Sequence, residues 1–499
     1  MDKKDLLNTA DQATLSLIDS TLIISNRQQA VPLKDLEEQL SINTSRLNQL
    51  IETIQYDFAD EIKQQRFTFA VIENELIIQF TANFSYADLL RKYLFTSVNV
   101  KIFMYLLQHP KLNKVELLYQ LNISEATYFR RLQHLNELLV EFRLELSNGV
   151  LVGSEMDIRY FYLNLGAIFD LKWPTAKDNQ IVQEVKQLEQ ILQTNFSPSI
   201  AFNVYWLIQI THYRSQFADA SNYEQAEWIQ KFVAPLPFFK TFKQNYFNQL
   251  SFVKQHGHHY DIEASLFFVL LWTIDPMPFA TSGYWHQLET KELAQAPFVR
   301  SYLVTMQQVD DYFPKMIPTI REGVAHEIAL ICLKIFFTNG YLYRINNLER
   351  MQDATLSFTI EDPWTKQFAN RLIATIDENH YLTLNPTDIN LLTENFVSIV
   401  NNTHKALAGK IKIGLSSAQS KPLVNVFRRY IILGLSYFTN VEIELYSDTH
   451  QYDYVITNRP NWDTDKAPVS YVTNFGTPAE YHQLQWQLLK IYQQKYSTH

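Results

Sequence analysis

The eight residues Thr127 to His134 bring two guanidiniums, a hydroxyl, a phenol and an imidazole into about two helical turns. Arginine forks read guanine edges and neutralise phosphates, while Thr, Tyr and His hydrogen-bond bases or backbone oxygens. The chemistry is recognition of double-stranded DNA, not bond making. Phe129, Leu132, Leu135 and Leu139 follow a three-and-four spacing and are expected to form the buried stripe of a helix. That phase leaves Thr127, Tyr128, Arg130, Arg131 and His134 on the open face, with Lys114 nearby. Arg130 and Arg131 are the foremost contacts.

The elements that must hold this helix can be read around it. Asn113 caps a helix from Lys114 to Leu121, Asn122-Ile123 make a short link, and Ser124 accepts free amides of the next helix. Phe142 to Leu146, the turn Ser147-Asn148-Gly149 and Val150 to Val152 then read as a hairpin. A helix-turn-helix followed by such a hairpin is a winged helix. Phe103 and Tyr105 are read as core.

The layout recurs. Leu36 to Leu40, Ser41-Ile42-Asn43 and Thr44 to Ile54 match Leu117 to Leu121, Asn122-Ile123-Ser124 and Glu125 to Leu139 at a shift of 81 residues. Phe67 to Ile72 and Leu76 to Phe80 form a wing-like pair after the first unit. Its second helix offers Thr44, Ser45, Arg46, Asn48 and Gln49, with one positive charge, so weaker DNA contact is expected there. Two short helices at a tight turn are also common in proteins that never touch DNA. Repetition in register, the two wings and the local charge favour DNA.

That charge is local. The chain of 499 residues carries a formal net charge of -9, yet Arg91 to Leu135 holds seven basic residues against Glu116 and Glu125, a segment charge of +5. Apolar residues at 46% and charged residues at 19% support folded cores throughout, and the length implies three to five domains. The single cysteine, Cys332, sits in an apolar run and excludes disulfide frameworks and Cys-based metal sites. The polar N-terminus and the absence of 18 uninterrupted apolar residues suggest a cytoplasmic protein without membrane contact.

With 11 glycines, 17 prolines and pervasive 3.6-residue periodicity, the chain is expected to be mainly α and multi-domain. Residues 1–82 and 83–168 are the two winged units. Boundaries at Lys172-Trp173-Pro174 to Asn179, at Gln295-Ala296-Pro297 and in the polar stretch Asn401 to Lys410 delimit helical segments 169–295 and 296–405. Residues 406–499 read as a small α/β domain: strands Ile411 to Leu415, Val441 to Tyr446, Tyr454 to Thr457 and Ser470 to Asn474, with helices Leu423 to Gly434 and Glu480 to Gln493.

This order of parts resembles the Mga and AtxA class of virulence and global transcription regulators of low-GC Gram-positive bacteria. The resemblance runs over essentially the whole chain and rests on architecture more than on single motifs. It implies two PTS regulation domains (PRDs) in the helical middle, whose histidines accept phosphoryl groups from sugar phosphotransferase (PTS) proteins. His212, in the helix ending Thr211-His212-Tyr213-Arg214, and His326, in Arg321 to Glu327, match best; His286 and His380 are weaker matches. Each histidine taken alone is more often a hydrogen-bonded helix residue. The resemblance also implies a tail similar to a PTS IIB component. Where that component carries a phosphorylatable cysteine, this chain has Gly414-Leu415-Ser416-Ser417, so the tail is expected to mediate self-association instead. A homodimer fits helix-turn-helix binding to paired half-sites.

An enzyme or phosphocarrier of sugar uptake has little support: no P-loop, dinucleotide fingerprint, HExxH or GxSxG is present, and no cofactor is expected. The pair Asp310-Asp311 reads as solvated surface. His256, His258 and His259 read as a polar connection, not a metal site. A regulator acting through protein contacts, with the DNA units kept as scaffold, is the remaining alternative.

Overall fold

The computed structural model describes the chain except residues 2, 25–29, 82, 170–179, 217–221, 224–225, 251–259, 275–295, 339, 341–362, 380–383, 385, 408–409, 418–420, 436–440, 460–461, 474–475 and 497–499. Helix dominates the described residues, beside three small sheets. Two compact units emerge, Met1–Pro278 with Phe337–Arg350, and Phe279–Phe336 with Met351–His499.

The first unit opens with a 3-10 turn, Lys3–Leu6, then α1 (Thr9–Ile24), β1 (Ala30–Pro32), α2 (Leu33–Leu40), α3 (Thr44–Asp57), α4 (Ala59–Lys63), β2 (Phe67–Ile72) and β3 (Glu75–Phe80). β1 joins the expected hairpin, giving an antiparallel sheet in the order β1-β3-β2. α5 (Tyr86–Thr96), α6 (Val98–Gln108), α7 (Lys114–Leu121) and α8 (Glu125–Leu139) follow, then β4 (Glu145–Ser147) and β5 (Val150–Val152).

The two helix-turn-helix links share one geometry because they share one chemistry. Ser41 (φ 53°) and Asn122 (φ 51°) are both left-handed and end α2 and α7. The next amides turn back, Ile42 N to Glu37 O at 3.1 Å and Ile123 N to Leu118 O at 3.2 Å. Asn43 then accepts from Arg46 N at 2.9 Å and Ser124 from Thr127 N at 3.2 Å, capping α3 and α8. Leu36 and Leu117, the matching positions, are both buried.

The second wing is shorter than its sequence suggests. Val140–Phe142 form a 3-10 turn and Arg143 is left-handed (φ 54°), so the strand starts only at Glu145. Phe142 causes this: fully buried, it packs edge-on against Phe161 at 5.1 Å and holds the chain on the core. Asn148 and Gly149, both with positive φ, make the tight hairpin turn.

α9 (Glu155–Phe169) leaves the wing directly and enters a helical bundle of α10 (Gln180–Ile191), α11 (Pro198–Arg214), α12 (Glu227–Val233), α13 (Pro237–Asn245) and α14 (Tyr260–Ile274). Inside it lies a quartet of buried ions. Arg159 donates to both oxygens of Glu263 at 2.6 Å and to Glu155 at 2.8 Å, and Arg214 donates to Glu155 at 2.9 and 3.1 Å. The Tyr223 hydroxyl also donates to Glu263. Burial pushes the Glu155 carboxyl up, but Arg214 and Arg159 outweigh it and hold the carboxyl below its ordinary range.

The first described helix of the second unit is α15 (Pro297–Tyr312), with Pro297 in its first turn. α16 (Pro318–Phe337), α17 (Pro363–Asn379) and α18 (Pro386–Leu407) follow. The polar boundary placed at Asn401 to Lys410 is helical as far as Leu407. Phe396, Ile399, Val400 and Thr403 continue the buried stripe, and the Thr403 hydroxyl is satisfied by Ile399 O at 2.8 Å. The boundary at 172–179 lies outside the described residues.

The tail comprises β6 (Ile411–Ser416), α19 (Lys421–Gly434), β7 (Val441–Leu445), β8 (Tyr454–Thr457), β9 (Val469–Tyr471) and α20 (Pro478–Tyr496). Its sheet is wholly parallel, ordered β7-β6-β8-β9. Ile413, Leu415 and Ile456 of the sheet bury against Phe427 and Ile431 of α19 and Leu484 and Leu488 of α20.

Candidate nucleic-acid interface

α8 presents a different face from the one its spacing suggests. Tyr128, Leu135 and Leu139 are the buried residues, while Phe129 is 53% exposed. Tyr128, expected as a DNA contact, is therefore a core residue, 3% exposed. The internal repeat held the signal: at the same shift of 81 residues, Tyr128 aligns with Leu47 and Leu135 with Ile54, both buried in α3.

Consecutive residues on a helix point about 100° apart, so Arg130 and Arg131 cannot share a face. Arg130 is exposed and leans on Thr127 Oγ1 at 3.4 Å. Arg131 is half-buried and acts on Asp11 of α1, whose carboxyl burial and Asp57 raise to about 6 against the pull of Arg131. His134, also expected on the open face, is half-buried and its Nε2 meets Asp5 O at 2.8 Å. The inward side of α8 is a seam with the N-terminal segment.

The basic island is partly discharged by the same packing. Lys92 pairs with Glu61 at 3.0 Å and lies over the Phe58 ring, Arg91 pairs with Asp88 at 3.2 Å, and Lys114 pairs with Glu125 at 2.7 Å. Lys101, Lys111 and Arg130 remain exposed, with no acidic partner among the described residues. Arg143 adds an exposed cation that the sequence reading passed over, set between α8 and the wing by its left-handed backbone. Its placement depends on Phe142 burying, which no local motif announces.

The wing is fixed to the helix it accompanies. Asn136 of α8 accepts from Leu146 N at 2.5 Å and donates to Leu146 O at 3.1 Å, and Leu112 N donates to Gly149 O at 2.7 Å. Val115, Tyr119 and Phe129 form an exposed apolar edge on α7 and α8, with Lys114 Nζ 5.6 Å from the Phe129 ring centre. Tyr105 is half-buried, not core, and its hydroxyl donates to Glu116 at 2.8 Å. Phe103 is fully buried as expected.

In the first unit Thr44, Ser45, Arg46, Asn48 and Gln49 are all exposed on α3, with Arg46 donating to Gln49 at 2.6 Å. The wing between β2 and β3 turns at Glu73 and Asn74, both left-handed, and shows Val71 and Ile72 to solvent.

The histidines divide. His212 is half-buried on α11, its Nε2 3.2 Å from Gln216 Nε2, and Arg214 of the ion quartet lies two residues on. His326 is 4% exposed within α16. His286 and His380, like His256, His258 and His259, lie outside the described residues. Cys332 is buried, and burial pushes its thiol up to about 12, an unreactive state. Among the described residues no cluster of His, Cys, Asp or Glu has the makings of a metal site, and no helix is long and apolar enough to cross a membrane.

A comparison with curated proteins finds no match. Residues 82–165 match the family model described as the Mga helix-turn-helix domain, a span that takes in α5 to α8, the second wing and most of α9. Residues 82–165 are thus a Mga-type helix-turn-helix domain, which supports the resemblance of this chain to regulators of the Mga and AtxA class.

Proposed function

We propose that this chain is a cytoplasmic transcription regulator and not an enzyme, reading double-stranded promoter DNA with α8 and the second wing. The carrying observation is the match of residues 82–165 to a Mga-type domain in which Lys111, Arg130 and Arg143 are exposed and Arg130 leans on the half-buried Thr127. The first unit adds the hydroxyl and amide groups of α3, which suit phosphate positioning more than base reading. Self-association into a homodimer would bring two such edges to paired half-sites. Phosphoryl transfer to His212 by PTS proteins is the favoured regulatory input, because its half-buried ring is accessible at the end of the helix that carries Arg214 of the ion quartet. His326 is disfavoured, since a 4% exposed ring offers no approach to a phosphodonor.

The test is binding of the full chain to genomic DNA fragments across a salt series. Arg130→Ala is expected to weaken binding by about 1–3 kcal/mol and to flatten the salt slope. Arg131→Ala, which faces Asp11, should change binding little. Equal affinity of Arg130→Ala and wild type would remove α8 as the reader. The exposed Val115, Tyr119 and Phe129 edge supports the second reading, a protein-contact regulator, which predicts no salt-dependent DNA binding at all.

A further inference from the structure

The parallel sheet of the tail reverses its growth at β6: β7 lies on one side, β8 and β9 on the other. At the carboxyl ends of strands beside such a reversal the connecting segments diverge and leave a crevice. A cleft of about 630 Å3 occupies that place, lined among others by Ser416, Asn425, Tyr446, Arg459, Trp462 and Asp463.

Two of these groups lack a partner among the described residues. Ser416 is only 5% exposed, yet its hydroxyl, facing the cleft, makes no hydrogen bond. The Arg459 guanidinium, exposed at the rim, meets no carboxylate. An unpaired arginine fork matches a phosphoryl or carboxylate group, and a serine hydroxyl in the same lining can donate to its oxygens. Together they suit an oxyanion.

The opposite wall is aromatic and rigid. Trp462 meets Tyr446 edge-on at 4.9 Å, and the Tyr446 hydroxyl is held by Asp448 at 3.0 Å and Thr464 at 3.1 Å. Asp448 is itself paired with Lys466 at 3.5 Å, whereas Asp463 and Asn425 stay exposed at the cleft. A carboxylate and an amide beside a flat ring suit a hydroxylated ligand, while among the described lining residues a single free cation, Arg459, beside the free Asp463 carboxylate opposes a polyphosphate.

We propose that this cleft binds a small polyhydroxylated monophosphate, with phosphoryl oxygens on Ser416 and Arg459 and the hydroxylated body against Trp462 and Asp463. The proposal stands apart from the DNA reading and fails or holds separately from it. The experiment is calorimetric titration of the full chain with glucose 6-phosphate, ribose 5-phosphate and glycerol 3-phosphate, beside glucose and inorganic phosphate. At least one of the three monophosphates should bind saturably at millimolar concentration or below. Arg459→Ala should weaken it about tenfold or more, and glucose or phosphate alone should bind at least as poorly. Arg459 is exposed, so that variant keeps the fold, and unchanged circular dichroism verifies it; Ser416→Ala should follow the same trend. No binding by any of the three, equal binding by Arg459→Ala, or inorganic phosphate matching the best of them would overturn the proposal.

Discussion

Removing one charge of each sign from the buried ion quartet together should cost less than the sum of removing each alone. Arg159 and Glu155 are fully buried, Glu263 is 2% exposed and Arg214 6%, so none is screened by water. Glu263→Gln leaves two guanidiniums facing one carboxylate; Arg159→Met leaves two carboxylates facing one guanidinium. Removing one partner of a buried pair costs about 3–5 kcal/mol, because the charge left behind has lost both water and its counterion. The double variant keeps the neutral Glu155–Arg214 pair, held by two bonds of 2.9 and 3.1 Å. Its loss should fall short of the summed single losses by about 2–3 kcal/mol. Urea denaturation of all four proteins, with hydrogen exchange of α9 and α11 as a local readout, measures this. Additivity within about 0.5 kcal/mol would refute the claim that the quartet acts as one unit.

The phase of α8 gives a second test: Tyr128→Ala should destabilise by about 3 kcal/mol or more and Phe129→Ala by under about 1 kcal/mol, read from denaturant midpoints. The Asp11 carboxyl supplies a third. Its pKa is raised in the folded state from 3.8 to about 6, so between those values the folded chain holds a proton that the unfolded chain has released. Stability therefore falls as pH rises through that window, and the penalty is complete above it. Asp11→Asn should raise the melting temperature at neutral pH by about 1 kcal/mol equivalent after discounting for partial exposure, and the gain should vanish near about pH 4.

Much of the scaffold was legible in the residues. The caps Asn113 and Ser124, the link at Asn122 and the repeat shift of 81 placed α7 and α8 to the residue, since capping chemistry is local. The tail strands were also legible, because β-branched runs between turns leave few alternatives. The face of α8 was not. Spacings of four, three and four from Tyr128 and of three, three and four from Phe129 both make a stripe, and two aromatics do not decide between them. The partners that neutralise the basic island were equally hidden: Arg131 acts on Asp11, far back in the chain, and Lys92 meets Glu61 across 31 positions. Arg159 and Glu263, 104 positions apart, look like ordinary surface charges until the bundle closes over them.

Only Gly153 and Ser154 separate the last wing strand from Glu155, the first residue of α9 and a member of the quartet. Gly153 has φ +152° and a Cβ there would lie 2.4 Å from Leu144 Cδ2, while its carbonyl accepts from Asn222 Nδ2 at 2.7 Å. The junction has no slack, so it works as a stiff lever arm: a tilt of α9 within the bundle must be carried into the wing as displacement instead of being absorbed by a loose joint.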